Sequence, residues 1–289
     1  IFPHLIARED MMSGVALNSI IWQSCRMIMP AFGGLIIAFT ETWVIFILCS
    51  AGFFTMFVVM SGLKVDLPVM KNELTSTMQK ISEGIQFILH EKTFLVLISM
   101  SFAGMFFVSS YMQLMPAFSN LLGAGEAGYG YLISITGVGS VIGTILVGSI
   151  QDSKQLGKVI LITAMLSGLF LYPFAAATGQ FAATEFAYIL AMASAFTVAL
   201  FASIFMITSM TVLQLRVPDD VRGRVMGIHG ITYSLMPLGG LFTGYLATFT
   251  SIPIAVFIAA SVYIVLIISI GISQAHIRQI DGMQITASS

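Results

Sequence analysis

The sequence predicts an all-α polytopic membrane protein, and three observations carry that prediction. Hydrophobic residues fill 57% of the 289 positions and charged residues only 9%, a balance foreign to a water-soluble domain of this length. The apolar residues gather into eight long stretches, near 11–39, 42–62, 94–117, 128–150, 158–178, 183–213, 225–249 and 252–274. Between them, the connections alternate in charge. One set holds Arg8, then Lys64, Lys71, Lys80 and Lys92, then Lys154 with Lys158, then Arg216, Arg222 and Arg224, then Arg278. The other set, around 40–41, 118–127, 179–182 and 250–251, has Glu41 and Glu126 as its charged residues. Lys and Arg beside a span resist translocation, so the basic set is expected in the cytoplasm, together with both ends of the chain.

Each stretch reaches the roughly 20 residues that cross a hydrocarbon core of about 30 Å. None alternates in the manner of a membrane β-strand, and backbone groups in lipid must be paired, so each is expected to be a helix. The first carries Asn18, Ser19 and Gln23, then Met29-Pro30 with Gly33 and Gly34, and Arg26 about halfway along. A guanidinium at that depth is costly unless it is paired or faces water. Arg26 is therefore a candidate for substrate or coupling contact, with a structural ion pair as the alternative. Cys25 and Cys49 lie within the first two stretches and read as small packing residues.

The longest connection, Ser61 to Thr93, is the natural boundary in the chain. Within it Leu74, Met78, Ile81, Ile85 and Ile88 recur at spacings of four and three, with Lys80, Glu83 and Glu91 off the stripe. That pattern predicts an amphipathic helix on the cytoplasmic surface.

The third stretch contributes Gln113 as a polar candidate. In the fourth, Gly139 and Gly143 form a small-residue pattern suited to close helix contact. Gly148, Asp152, Lys154, Gly157 and Lys158 follow in the next basic loop, and Glu185 stands at the outer end of the sixth stretch. Ahead of the seventh come Asp219, Asp220, Arg222 and Arg224; inside it lie His229, Tyr233, Pro237, Gly239 and Gly240. His229 titrates near neutral pH in an ordinary setting, which makes it a candidate proton carrier or a local hydrogen bonder. Asn18, Gln23, Gln113 and Tyr233 are candidates to line a central cavity.

An internal repeat joins the first and seventh stretches. In both, an acidic pair (Glu9 and Asp10; Asp219 and Asp220) precedes a span with Met-Pro and a Gly pair (Met29, Pro30, Gly33, Gly34; Met236, Pro237, Gly239, Gly240). Paired structural repeats are a feature of secondary transporters. At "VALNSIIWQSCRMIMPAFGGLI", "GYGYLISITGVGSVIGTILVG" and "VPDDVRGRVMGIHGITYSLMPLGGLFTG" the chain resembles the major facilitator superfamily, in particular its drug and siderophore exporters.

The resemblance implies eight of twelve helices, equivalent to the last eight. It divides the chain into 1–62, the end of the N-terminal half; 63–93, a central cytoplasmic loop; 94–274, the C-terminal six-helix half; and 275–289, a cytoplasmic tail. The start at Ile1, without an initiator Met or signal pattern, fits a fragment that lacks four helices. Pro30, Gly33 and Gly34 fit the end of the family's antiporter motif, although Met29 and Cys25 replace glycines in it. Gly148, Asp152, Gly157 and Lys158 resemble the second-half loop signature, in which the Asp meets a helix N-terminus across the interface between halves. Arg26 matches an Arg found four residues before the Pro in related exporters.

Further implications are proton antiport, a small amphipathic substrate, a monomer, and the plasma membrane, in bacteria the inner one. No cofactor or metal is implied, and nucleic acid is not an expected partner. The four His residues are scattered, and there is no HExxH pattern, Ser/His/Asp set, catalytic pair of Asp within the spans or phosphate-binding Gly-Lys-Ser/Thr pattern, so enzymatic chemistry and ATP-driven pumping have no support. An uptake permease of the same fold and a non-transporting receptor or scaffold remain as alternatives to export.

Overall fold

The computed structural model describes residues 36, 40–62, 77–150, 153–182 and 184–281. All regular structure among them is helical, in line with the backbone pairing that lipid demands. Seven helices in the described residues are long and apolar enough to cross a membrane: Trp43–Gly62, Lys92–Leu121, Gly125–Ile150, Leu156–Thr178, Phe186–Arg216, Val221–Phe249 and Ile252–Ser273. The span expected at 11–39 lies outside the described residues, apart from Ile36.

Helix α1 (Thr42–Gly62) has no buried side chain among those described. Helix α2 (Thr77–His90) follows, and then six spans come together around one core. These are α3 (Lys92–Ala103) with α4 (Met115–Leu121), α5 (Gly125–Ile150), α6 (Leu156–Leu169) with α7 (Leu171–Thr178), α8 (Glu185–Arg216), α9 (Asp219–Gly230) with α10 (Leu235–Phe249), and α11 (Ile252–Ser273). Phe118, Phe174, Leu97, Met115 and Tyr263 are among the side chains fully enclosed in that core. At 32 residues α8 runs about 48 Å at 1.5 Å per residue, longer than a hydrocarbon core of about 30 Å is thick.

Three of the spans are broken, and each break sits beside a proline. Proline lacks the N–H that would bond four residues back, and its ring crowds that carbonyl. Pro116 opens α4, and ahead of it the span widens into a π turn, Gly104–Val108, and then tightens into a 3-10 turn, Ser109–Leu114. Pro173 lies just past the joint between α6 and α7. Pro237 is in the first turn of α10, after a 3-10 turn at Ile231–Ser234.

Glycines set the closest contacts. A Cβ on Gly139 would stand 2.3 Å from the Phe196 carbonyl oxygen, and one on Gly143 would stand 2.5 Å from that of Leu200. The backbones of α5 and α8 therefore touch along this seam. Gly239 does the same for α10, with a Cβ position 2.0 Å from the Phe106 carbonyl oxygen in the π turn.

The helix expected between 63 and 93 is α2, and it sits against α9. A Cβ on Gly84 would be 3.0 Å from Ile228 Cδ1 and 3.1 Å from Arg224 Cβ, and Arg224 pairs with Glu83 at 2.6 Å. The inner face is therefore Glu83, Gly84, Phe87 and Ile88, whereas Ile85, placed on the expected apolar stripe, is exposed with Leu89. The missing side chain of Gly84 gives α9 its closest approach on the face away from Ile85. Leu74 is outside the described residues, as are the side chains of Met78 and Ile81.

After α11 the chain folds back. Helix α12 (Ala275–Arg278) buries Ile277 and, just beyond it, Ile280 against the start of α6, where the Gly157 N–H donates to the Ile280 carbonyl at 3.1 Å. A Cβ on Gly157 would lie 1.7 Å from the Ile277 carbonyl oxygen, so glycine is required for this contact.

Candidate functional site: a hydroxyl-lined cavity in the bundle

Irregular backbone at membrane depth persists only where protein or a cavity receives its polar groups, and π turns recur at functional sites. The π and 3-10 turns between α3 and α4 form one wall of a cavity of about 140 Å³, through Gly104, Met105, Ser109, Tyr111 and Met112. Thr136 and Ser140 of α5, Ser167 of α6, Ser203 and Met206 of α8, and Tyr263 of α11 form the others. Tyr233, from the 3-10 turn before α10, is 56% exposed and stands at the edge.

Among the described residues, no charged side chain lines the cavity. Its polarity comes from hydroxyls, several of which turn their proton away. Thr136 donates to the Ile133 carbonyl at 2.6 Å, Ser140 to that of Gly137 at 2.8 Å, and Ser167 to that of Ala164 at 2.7 Å. Each of these oxygens keeps lone pairs and has no second proton to give. The Tyr263 hydroxyl is enclosed near Ser167 yet makes no hydrogen bond of good geometry. Thioethers of Met105, Met112 and Met206 supply adaptable apolar surface.

The residues singled out in the sequence distribute as follows. Tyr233 is at the cavity; Gln113 is not, its Cβ lying 2.7 Å from where Gly240 would carry one. His229 is 2% exposed, its Nε2 has no hydrogen-bond partner among the described residues, and its carbonyl accepts from the Thr232 hydroxyl; it does not line the cavity. Glu185 begins α8, with a side chain outside the described set. Arg26, Asn18, Gln23, Pro30, Gly33, Gly34 and Asp152 lie outside the described residues.

Gly148 is exposed with open space around its Cβ position. Gly157 carries the contact with the folded-back tail, and Lys158 reaches Gln155 at 3.4 Å. Arg222 donates to the Val217 carbonyl at 3.4 Å, and Arg224 holds Glu83. Pro237 stands at the joint before α10, while Gly239 and Gly240 face the π and 3-10 turns.

With this geometry in hand, comparison with known families is decisive. The family model described as transmembrane secretion effector, a branch of the major facilitator superfamily, matches residues 1–289. The chain belongs to that family. It is accordingly a multi-pass, all-α membrane transporter of the major facilitator type, working in a bilayer on a small-molecule substrate, and the family speaks for transport rather than enzymatic chemistry. No curated protein and no solved structure matches the chain.

Sequence reasoning missed Thr136, Ser140, Ser167, Ser203 and Tyr263. Isolated hydroxyls in apolar helices have no spacing signature, and only the mutual rotation of the spans brings them together. Pro116 and Pro173 were a usable signal, because a proline inside an apolar run marks a helix break, and one of these breaks borders the cavity.

Proposed function

We propose that this transporter exports small amphipathic molecules, drug-like or siderophore-like, by alternating access coupled to proton entry. The observation that supports this reading is the uncharged cavity beside a broken span, because discontinuous helices near the midplane are where secondary transporters bind their substrates. In this reading 94–274 is the C-terminal six-helix half and holds the cavity, 1–62 belongs to the N-terminal half, and the two rock against one another, with 63–93 as the cytoplasmic link. Arg26 then contacts substrate or the coupling network, His229 and Glu185 are coupling candidates, and Asp152 with Gly148, Gly157 and Lys158 forms the gating loop. The membrane is the plasma membrane, with both ends cytoplasmic, and the working unit is a monomer. The family's description as a secretion effector favours export over uptake.

The test is accumulation of dyes, macrolides and catecholate siderophores in cells expressing the chain, with and without a protonophore. Lower accumulation that the protonophore reverses is the expected result. Accumulation that rises on expression overturns export, and efflux indifferent to the protonophore overturns proton coupling.

A further inference from the structure

We infer that the cavity in the six-span bundle is a subsite for the hydrogen-bond-donating, uncharged group of the substrate, such as an aromatic amine or a phenol. This rests on the transporter reading above and specifies the chemistry of its site. Two properties of the walls lead to it. Thr136, Ser140 and Ser167 have committed their protons to their own helices, so toward the cavity they act as acceptors. Tyr263 adds a buried hydroxyl beside Ser167, without a well-formed hydrogen bond among the described residues, whose oxygen can also accept from a ligand.

Charge is excluded by the same walls. With no Asp, Glu, Lys, Arg or His among the described residues that line the cavity, an ion entering it would shed water without gaining a counter-charge from these walls. The aromatic and thioether surfaces of Tyr111, Phe205 and Met206 accept a flat, polarisable ring. A ligand that presents an N–H or O–H from such a ring satisfies the acceptors, whereas a ring capped by methyl groups leaves them unpaired.

A matched pair of fluorescent probes reads this directly. 7-Amino-4-methylcoumarin carries a donating amine; its 7-dimethylamino analogue has the same ring and no donor. Fluorescence-polarisation titration of each against the purified chain in detergent, with empty micelles subtracted, is expected to show the amino dye binding on the order of tenfold more tightly. Ser140→Ala and Ser167→Ala, made separately, are each expected to shrink that preference several-fold while leaving the dimethylamino dye unchanged, which also certifies that the variant is folded.

Equal affinity for the two dyes, preference for the dimethylamino dye, a preference untouched in both variants, or no saturable binding of either dye overturns the inference. Tighter binding of 7-trimethylammonio-4-methylcoumarin than of the amino dye overturns its uncharged character. Donor-selective binding without dye export keeps the subsite and removes the export reading; export without donor selectivity does the reverse.

Discussion

Two stripes on α5 lie side by side and do opposite things. Gly139 and Gly143 seal a seam, bringing backbone onto the Phe196 and Leu200 carbonyls of α8, while Thr136 and Ser140, also one turn apart, open onto the cavity. Both stripes use small residues, but the physics differs. Glycine removes the side chain so that two backbones meet, and lipid-embedded helices associate through such contacts. Ser and Thr keep a polar atom, and by donating to their own helix they present an acceptor without leaving a proton unpaired. Small residues in a membrane helix therefore mark either a seam or a site, and the presence of a hydroxyl separates the two.

The seam should be the less forgiving of the pair. Gly139→Val places atoms where the Phe196 carbonyl already stands, 2.3 Å from the new Cβ, and overpacking of this kind costs about 1–3 kcal/mol. A marked drop in the temperature at which the purified protein stays monodisperse is expected; an unchanged temperature would mean that the seam is loose. On the cavity side, Tyr263→Phe deletes an enclosed hydroxyl that lacks a well-formed hydrogen bond, so stability is expected to hold or to rise by up to about 1 kcal/mol. A fall in melting temperature would show that the hydroxyl has a partner worth keeping. The smallest effect belongs away from both stripes, at the partly exposed pair between α2 and α9. Glu83→Gln should cost about 0.2–1 kcal/mol at low salt, and the difference should vanish near about 1 M salt, where charges are screened within about 3 Å. A salt-independent loss would assign the contact to packing around Gly84 instead.

The seven described spans were readable because long apolar runs are one-dimensional signals, and the structure shifts their ends by only a few residues. The stretch expected from 225 starts as a helix at Asp219, since acidic residues are favourable in a first turn and extend it into polar sequence. Gly139 and Gly143 were readable as contact residues because their spacing puts them on one face. The cavity was not. Thr136, Ser167 and Tyr263 come from three different spans, and their meeting depends on how each helix is rotated, which no local pattern records. Ile85 shows the same limit at smaller scale: periodicity marked a helix, whereas the face that meets α9 is the one that carries Gly84.

Gly157 has a consequence for how the molecule is made. Its N–H is capped by the Ile280 carbonyl, and the surface beside it is covered by Ile277, so the entrance to α6 is finished only by residues that leave the ribosome after all seven described spans. Until then the nascent bundle shows one unpaired N–H, that of Gly157, in the first turn of α6 and a patch of bare apolar surface at its basic end. A chain cut short before Ile277 keeps that blemish permanently, with every described span in place. Quality-control proteases that inspect membrane proteins for such exposed surface would have a mark by which to tell a finished copy from an unfinished one.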